Sequence, residues 1–453
     1  MGIKYYDLVT EDWEDFYGEL RRNTVGMCKV NNKFKLAWKG PCPHIHDKYG
    51  RHPGEPGFDR NNVIEFQPWT STNSLPSTAG NYYLVNDVSL SSTWYTPNSN
   101  IKICLNNHNI VASSSVRLIY VNGDDADLLL CNCDDNKIPS SIYLYWSDFN
   151  TPKNIVANGD FPVGVTTYKN ADGTDYSFVK GGALIGNNNR VVTVASGKLT
   201  LCNCTISNGN VSGGESGGGI SIGYKKANLD ILGNTKIIYN IGGYSGGLSA
   251  LGGNSLHSPG AIGDIKLKDE CELHYNHARI NIGCAEISDG YKCYIDDNAS
   301  VSFNESSDSS GGIASTLGSI VYMNGGRIYK NIAKSGNCGG VQLYDTQGVG
   351  AIFEMSGGVI SNNECNGSIG SLYVSTNKSQ IKLEANASVY DNVANRQTTR
   401  APKNIHLASN AIITITDTLL FKDNKIGITM QSIGKFTSDF STYNPDDDPS
   451  DFF

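Results

Sequence analysis

The chain has no run of 18 or more apolar residues, so nothing in it reads as a membrane-spanning helix. It has no Lys/Arg-rich block either. A net charge of −8 supplies no basic groove for phosphates, and nucleic acid is excluded as an expected partner. The opening "MGIKYYDLVTEDWEDFYGEL" lacks the apolar core of a signal peptide, and Tyr6 stands where N-myristoylation requires Ser or Thr. Twelve cysteines in 453 residues are too few for a disulfide scaffold. "GGESGGG" (213–219) lacks the Lys-Ser/Thr that would make it a phosphate loop.

What is present is glycine, at 50 residues, with abundant Asn, Ser and Thr and only 18% charged residues. That composition suits short strands joined by tight turns. Downstream of residue 190 one phrase recurs: an apolar stretch, a small-residue turn, another apolar stretch, then Asn. Examples are "YIDDNASVSFN", "VYMNGGRIYKN", "IFEMSGGVISNN" and "IKLEANASVYDN". Anchoring on that Asn gives Asn208, Asn240, Asn276, Asn304, Asn331, Asn363, Asn392 and Asn424, at gaps of 32, 36, 28, 27, 32, 29 and 32. A second mark keeps the same period, as in "GGISIG", "GGLSAL", "GGIAST" and "GGVQLY".

The segments are too short and too Gly-rich for helical repeats, and they alternate with period two. Propeller blades need longer repeats. What fits is one coil of a parallel β-helix with about three short strands, stacked at roughly 4.8 Å. At a coil corner Asn tolerates unusual backbone angles, and its amide can bond to the Asn above and below. The Gly pairs turn the chain where a Cβ would clash. Alternation puts Phe353 and Met355 inside and Glu354 outside.

The expected fold is therefore all-β: a right-handed parallel β-helix solenoid with a small α+β N-terminal segment. Residues 1–70 form that segment, 71–435 the β-helix with regular coils from about 190, and 436–453 an acidic tail that caps or leaves it. Within 1–70, "TEDWEDFYGELRRN" predicts a helix capped by Thr10, and "MCKVNNKFKLAWKG" predicts a hairpin about Asn31-Asn32. The insertion near 134–178 reads as a projecting loop.

From "AGNYYLVNDVSLSSTWYTPNSNIKICLNNHNI" through "GGALIGNNN" and "MSGGVISNN", about residues 75–430, the sequence resembles a loose group of right-handed parallel β-helix proteins. These are the Gly-Gly/Asn repeat proteins of gut Firmicutes surfaces, adhesin-like and fold-related to pectate lyases. Without leader or anchor, the chain also resembles a phage tailspike or receptor-binding protein. The resemblance implies a surface glycan or a host or bacterial surface receptor as partner, an extracellular or virion location, and, for a tailspike, a homotrimer.

Chemistry is sparser. The N-T-D, G-H-G and R-I-K motifs of polygalacturonases are absent. Outer-face carboxylates Asp296, Glu354 and Glu384 fall at comparable positions, and a Glu354–Glu384 pair on adjacent coils would have the spacing of a retaining glycosidase. An enzyme acting on polysaccharide is thus the alternative to non-catalytic recognition. Tyr329 and Tyr390 project outward, where an aromatic face could stack on a sugar. Although no cofactor is required, Cys42, His44, His46 and His52 in "CPHIHDKYGRH" could hold a structural zinc, with Asp47 and Cys28 as further ligands. Cys131/Cys133 and Cys202/Cys204 are spaced i, i+2 in apolar strands, so each pair shares a face. They read either as a four-thiolate zinc site or as small hydrophobes stacked in a core.

Overall fold

Successive coils of the chain pair in register to make a parallel β-helix. The computed structural model describes residues 46–51, 55, 57–59, 61–133, 182–223, 226–251, 263–420 and 426–453. For the strands Lys4–Asp7, Asp12–Asp15, Val25–Val30, Lys33–Trp38, Thr167–Lys169 and Asp175–Ser177, and for Ile45, it describes the backbone. Asn424, Cys42, His44, His52 and most of the 134–178 insertion lie outside the described residues.

One coil illustrates the plan. The chain runs through Lys292–Ile295 in a 13-stranded large sheet, then Ser300–Ser302 in a 10-stranded second sheet. It crosses a seven-stranded corner sheet at Glu305–Ser306 and an 11-stranded third sheet at Ile313–Ser315. It re-enters the large sheet at Ile320–Met323. Each such coil has four strands where three were expected, because the corner beside the Asn is itself paired from coil to coil.

Period-two alternation fills the interior. On the large sheet Cys293, Ile295, Val321, Met323, Phe353, Met355, Ile381 and Leu383 are each at most 1% exposed, while Glu354 between Phe353 and Met355 faces outward. Third-sheet strands follow the small-residue turns, and packing there leaves no room for a side chain. A Cβ on Gly311 would lie 2.6 Å from the Gly339 carbonyl oxygen and 2.6 Å from the Ile332 amide nitrogen.

The asparagine corner is a hydrogen-bonded ladder with every rung at 0% exposure from Asn240 to Asn392. Asn276 Oδ1 accepts both the backbone N–H (3.1 Å) and Nδ2 (3.0 Å) of Asn240. The pattern repeats from Asn276 to Asn304, Asn331, Asn363 and Asn392. Two expectations are corrected here. The residue with unusual backbone angles is the one before the ladder Asn: Tyr239, Tyr275, Phe303, Lys330, Asn362 and Asp391 all have φ between 52° and 56°. Asn208, at φ 67°, occupies that preceding place, so it is no rung; its neighbour Gly209 donates its amide to Asn240 Oδ1 at 2.9 Å. At the other end Asn392 bonds to Asn404, only 12 residues on. The chain gets there by the antiparallel return of Ala401–Pro402 on Val393–Ala394.

In the N-terminal segment the expected strands pair, Val25–Val30 running antiparallel to Lys33–Trp38. The expected helix does not hold at Asp12–Asp15, which is a strand antiparallel to Lys4–Asp7. A capping residue stabilises a helix end by about 1 kcal/mol, and an isolated helix of this length is marginal, so strand pairing wins. At the far end Thr437–Ser438 adds the last strand of the large sheet, and Phe440 and Phe452 join the interior.

Candidate functional site

On the large sheet's outer face the register separates the three candidate carboxylates. One row reads Asp230, Lys266, Tyr294, Tyr322, Glu354, Lys382, Thr414. Glu354 therefore faces Lys382, with Nζ to Oε2 at 3.0 Å, and not Glu384, two residues further along that strand. Glu384 accepts from Thr416 Oγ1 at 2.8 Å. Asp296 is held by Lys268 Nζ (3.1 Å) and Asn324 Nδ2 (2.8 Å). Two acids whose rows differ by two positions do not form the facing pair expected of a retaining glycosidase. Tyr294 and Tyr322 stack between these groups, with centroids 4.9 Å apart and planes at 11°.

The second sheet carries the two candidate tyrosines in one row, Tyr329 and Tyr390, separated by Ser361. Both are partly exposed. The left-handed corner residues extend this row. Tyr239 and Tyr275 stack at 5.2 Å and 7°, Tyr275 and Phe303 at 5.2 Å and 15°, and Phe303 meets the edge of Tyr329 at 5.2 Å and 72°. The Arg327 guanidinium lies 5.7 Å from the Tyr329 ring centre, and Lys330 Nζ 5.4 Å from that of Phe303. The result is an aromatic line along the solenoid axis, flanked by cations. Sequence reading missed Tyr239, Tyr275 and Phe303, although each directly precedes a ladder Asn.

On the third sheet's outer face Glu286 stands between Ser249 and Ala314 of the adjoining coils. Burial pushes its carboxyl above the usual range, opposed by the bond from Ser216 Oγ at 3.0 Å. Burial raises the Tyr344 phenol as well, with Glu286 and Asp289 adding to the effect. Nothing in the repeat marks Glu286, because the loop bearing Ser216 creates its environment.

The fourth grouping brings together residues that the sequence assigned to two separate sites. Cys104, Cys131 and Cys202 end consecutive strands of the large sheet in one register row, on its outer face. Strand-final Cys in "NIKIC", "DLLLC" and "GKLTLC" was the available signal. They form a satellite cluster with Cys133, Phe66 and Leu129, separate from the solenoid interior. Cys204, in contrast, lies inside: Asn203 turns the chain at φ 58°, so Cys202 and Cys204 do not share a face.

His46, in the strand Ile45–Asp47, covers this cluster at 0% exposure. One imidazole nitrogen and the Cys104 and Cys131 sulfurs lie within 4.8 Å of one another. Cys133 Sγ is 3.1 Å from Cys104 Sγ and 3.8 Å from His46 Nε2. Asp47, a candidate ligand, instead organises the loop, its Oδ1 accepting from Tyr49 N and Arg51 N at 2.8 Å each and its Oδ2 from Asp59 N at 2.9 Å. The loop is clamped to the coils by Arg51–Asp269 at 2.7 Å and by Asn203 Nδ2 on Glu55 at 2.9 and 3.0 Å.

Comparison of the chain with protein-family models, curated proteins and solved structures gives no significant match. Register and burial define its class as a parallel β-helix solenoid with a satellite cysteine–histidine cluster. Among the described residues no helix is long and apolar enough to cross a membrane.

Proposed function

We propose that the chain is a non-catalytic recognition β-helix, tailspike-like or adhesin-like, that binds an extended surface glycan outside the cell or on a virion. The aromatic line Tyr275–Phe303–Tyr329, resumed at Tyr390, carries this reading. Its residues are partly exposed, it runs along the axis as a polymer would, and rings beside hydroxyls suit sugar faces. Arg327 and Lys330 favour a glycan bearing carboxylates. The engagement of Asp296 and Glu354 by lysines fits a structural use of those acids.

A glycan panel of acidic and neutral polysaccharides, read by calorimetry, tests it. Tyr329→Ala and Tyr390→Ala should each weaken binding about tenfold, for roughly 1.4 kcal/mol per ring. Unchanged affinity in the double variant would sink this reading. A trimer in sedimentation favours the tailspike form and a monomer the adhesin form.

Glu286 favours a second reading, a polysaccharide hydrolase or lyase, because burial raises its carboxyl above the usual range, the direction in which a general acid is tuned. That reading requires released reducing ends or unsaturated products, lost in Glu286→Gln while binding persists.

A further inference from the structure

We infer that His46, Cys104, Cys131 and Cys133 form a structural zinc site that fastens the N-terminal segment to the first coils. This inference is independent of the glycan reading. Four soft or borderline donors converge, three thiols and one imidazole, which is a ligand set that structural zinc takes. All four are at most 1% exposed. With zinc–sulfur bonds of about 2.3 Å and zinc–nitrogen bonds of about 2.0 Å, tetrahedral ligands stand about 3.8 Å (S to S) and about 3.5 Å (S to N) apart. The observed 3.8 Å from Cys133 Sγ to His46 Nε2 fits, and the 4.8 Å limit on the other three donors needs only a small contraction. The 3.1 Å between Cys104 and Cys133 would open on binding.

The surroundings support the same assignment. His46 Nδ1 lies 3.1 Å from the Gly50 carbonyl oxygen. A carbonyl only accepts, so Nδ1 carries the proton and Nε2 turns its lone pair to the sulfurs, the outer-shell arrangement that orients metal-bound histidines. Phe66 packs on the imidazole, with centroids 5.0 Å apart. Gly50, at φ 84°, seats the loop directly on the cysteines, since a Cβ there would lie 2.5 Å from Cys131 Cβ. The ligands come from three stretches: one from the docking loop, one from the coil ending at Cys104, and two from the next.

The test uses the full chain, prepared under reducing conditions and reconstituted with zinc alone, then with cobalt(II) as spectroscopic probe. Mass-spectrometric metal analysis should give one zinc per chain. Cobalt should show tetrahedral visible bands and a thiolate charge-transfer band in the near ultraviolet. His46→Ala should weaken zinc affinity at least tenfold, Cys104→Ser/Cys133→Ser should abolish stoichiometric binding, and Cys365→Ser, in a remote cluster, should leave it unchanged. Absence of zinc and of cobalt bands in the wild-type chain overturns the site, whatever the variants do. So does stoichiometric binding that survives the double substitution, or a Cys104–Cys133 disulfide found by peptide mapping of the reduced and reconstituted protein.

Discussion

His274 shows how the solenoid changes the chemistry of one residue. It is 3% exposed on the second sheet, with Ser300 Oγ 3.2 Å from Nε2 and Glu272 3.5 Å from Nδ1. Burial pushes its pKa down to about 4, against the raising effect of Glu272. The folded state thus holds the imidazole neutral while the unfolded state binds a proton below about 6.5. A lowered pKa means that the stabilisation is present above pH 6.5 and drains away as pH falls toward 4. Denaturant midpoints from pH 7 to 4.5 should fall, by up to roughly 3 kcal/mol in stability. His274→Gln should remove that part of the slope; an unchanged slope would refute the assignment.

Among elements, the asparagine ladder is the most demanding feature. Asn331 takes part in five ladder bonds. Its backbone N–H and Nδ2 both donate to Asn363 Oδ1, at 3.0 and 2.9 Å, and Nδ2 also donates to the Val301 carbonyl at 2.9 Å. Its Oδ1 accepts from Asn304. Asn331→Ala strands several buried groups, each worth about 1–3 kcal/mol, so a loss of at least 3 kcal/mol is expected in urea unfolding. Loss under 1 kcal/mol would mean that the ladder is dispensable. The ladder was legible because identical residues at one period must stack. Its phase at Asn208 was not, since Ser207-Asn208-Gly209 reads the same whether Asn fills the left-handed position or the rung. The helix misread over Asp12–Asp15 has a similar origin: capping residues and acids are local signals, and pairing with Lys4–Asp7 is not.

Across the whole molecule, the repeat disclosed the solenoid, because coil stacking is a nearest-neighbour arrangement written in each repeat. What it could not disclose is anything made between distant parts of the chain. His46 meets Cys104 and Cys131 only because the loop around Asp47 folds back onto the large sheet. Glu354 meets Lys382 rather than Glu384 because Lys382 is its register partner on the next strand, a pairing that the spacing of the asparagines does not fix. Alternation was enough to place Tyr329 and Tyr390 on the outer face; the rings that continue the line from Tyr329 needed the corner geometry.

The antiparallel return at Ala401–Pro402 also governs how copies of the molecule can meet. A parallel stack ending in open strand edges is a template on which another chain can lengthen the pile into a fibre. Here the corner sheet stops at a strand of reversed direction whose Pro402 has no amide proton to offer. The large sheet tapers to the two residues Thr437–Ser438, followed at once by the helix Phe440–Tyr443. Both of these sheet ends are therefore poor templates for a further coil: one is reversed and short of an amide donor, the other only two residues wide.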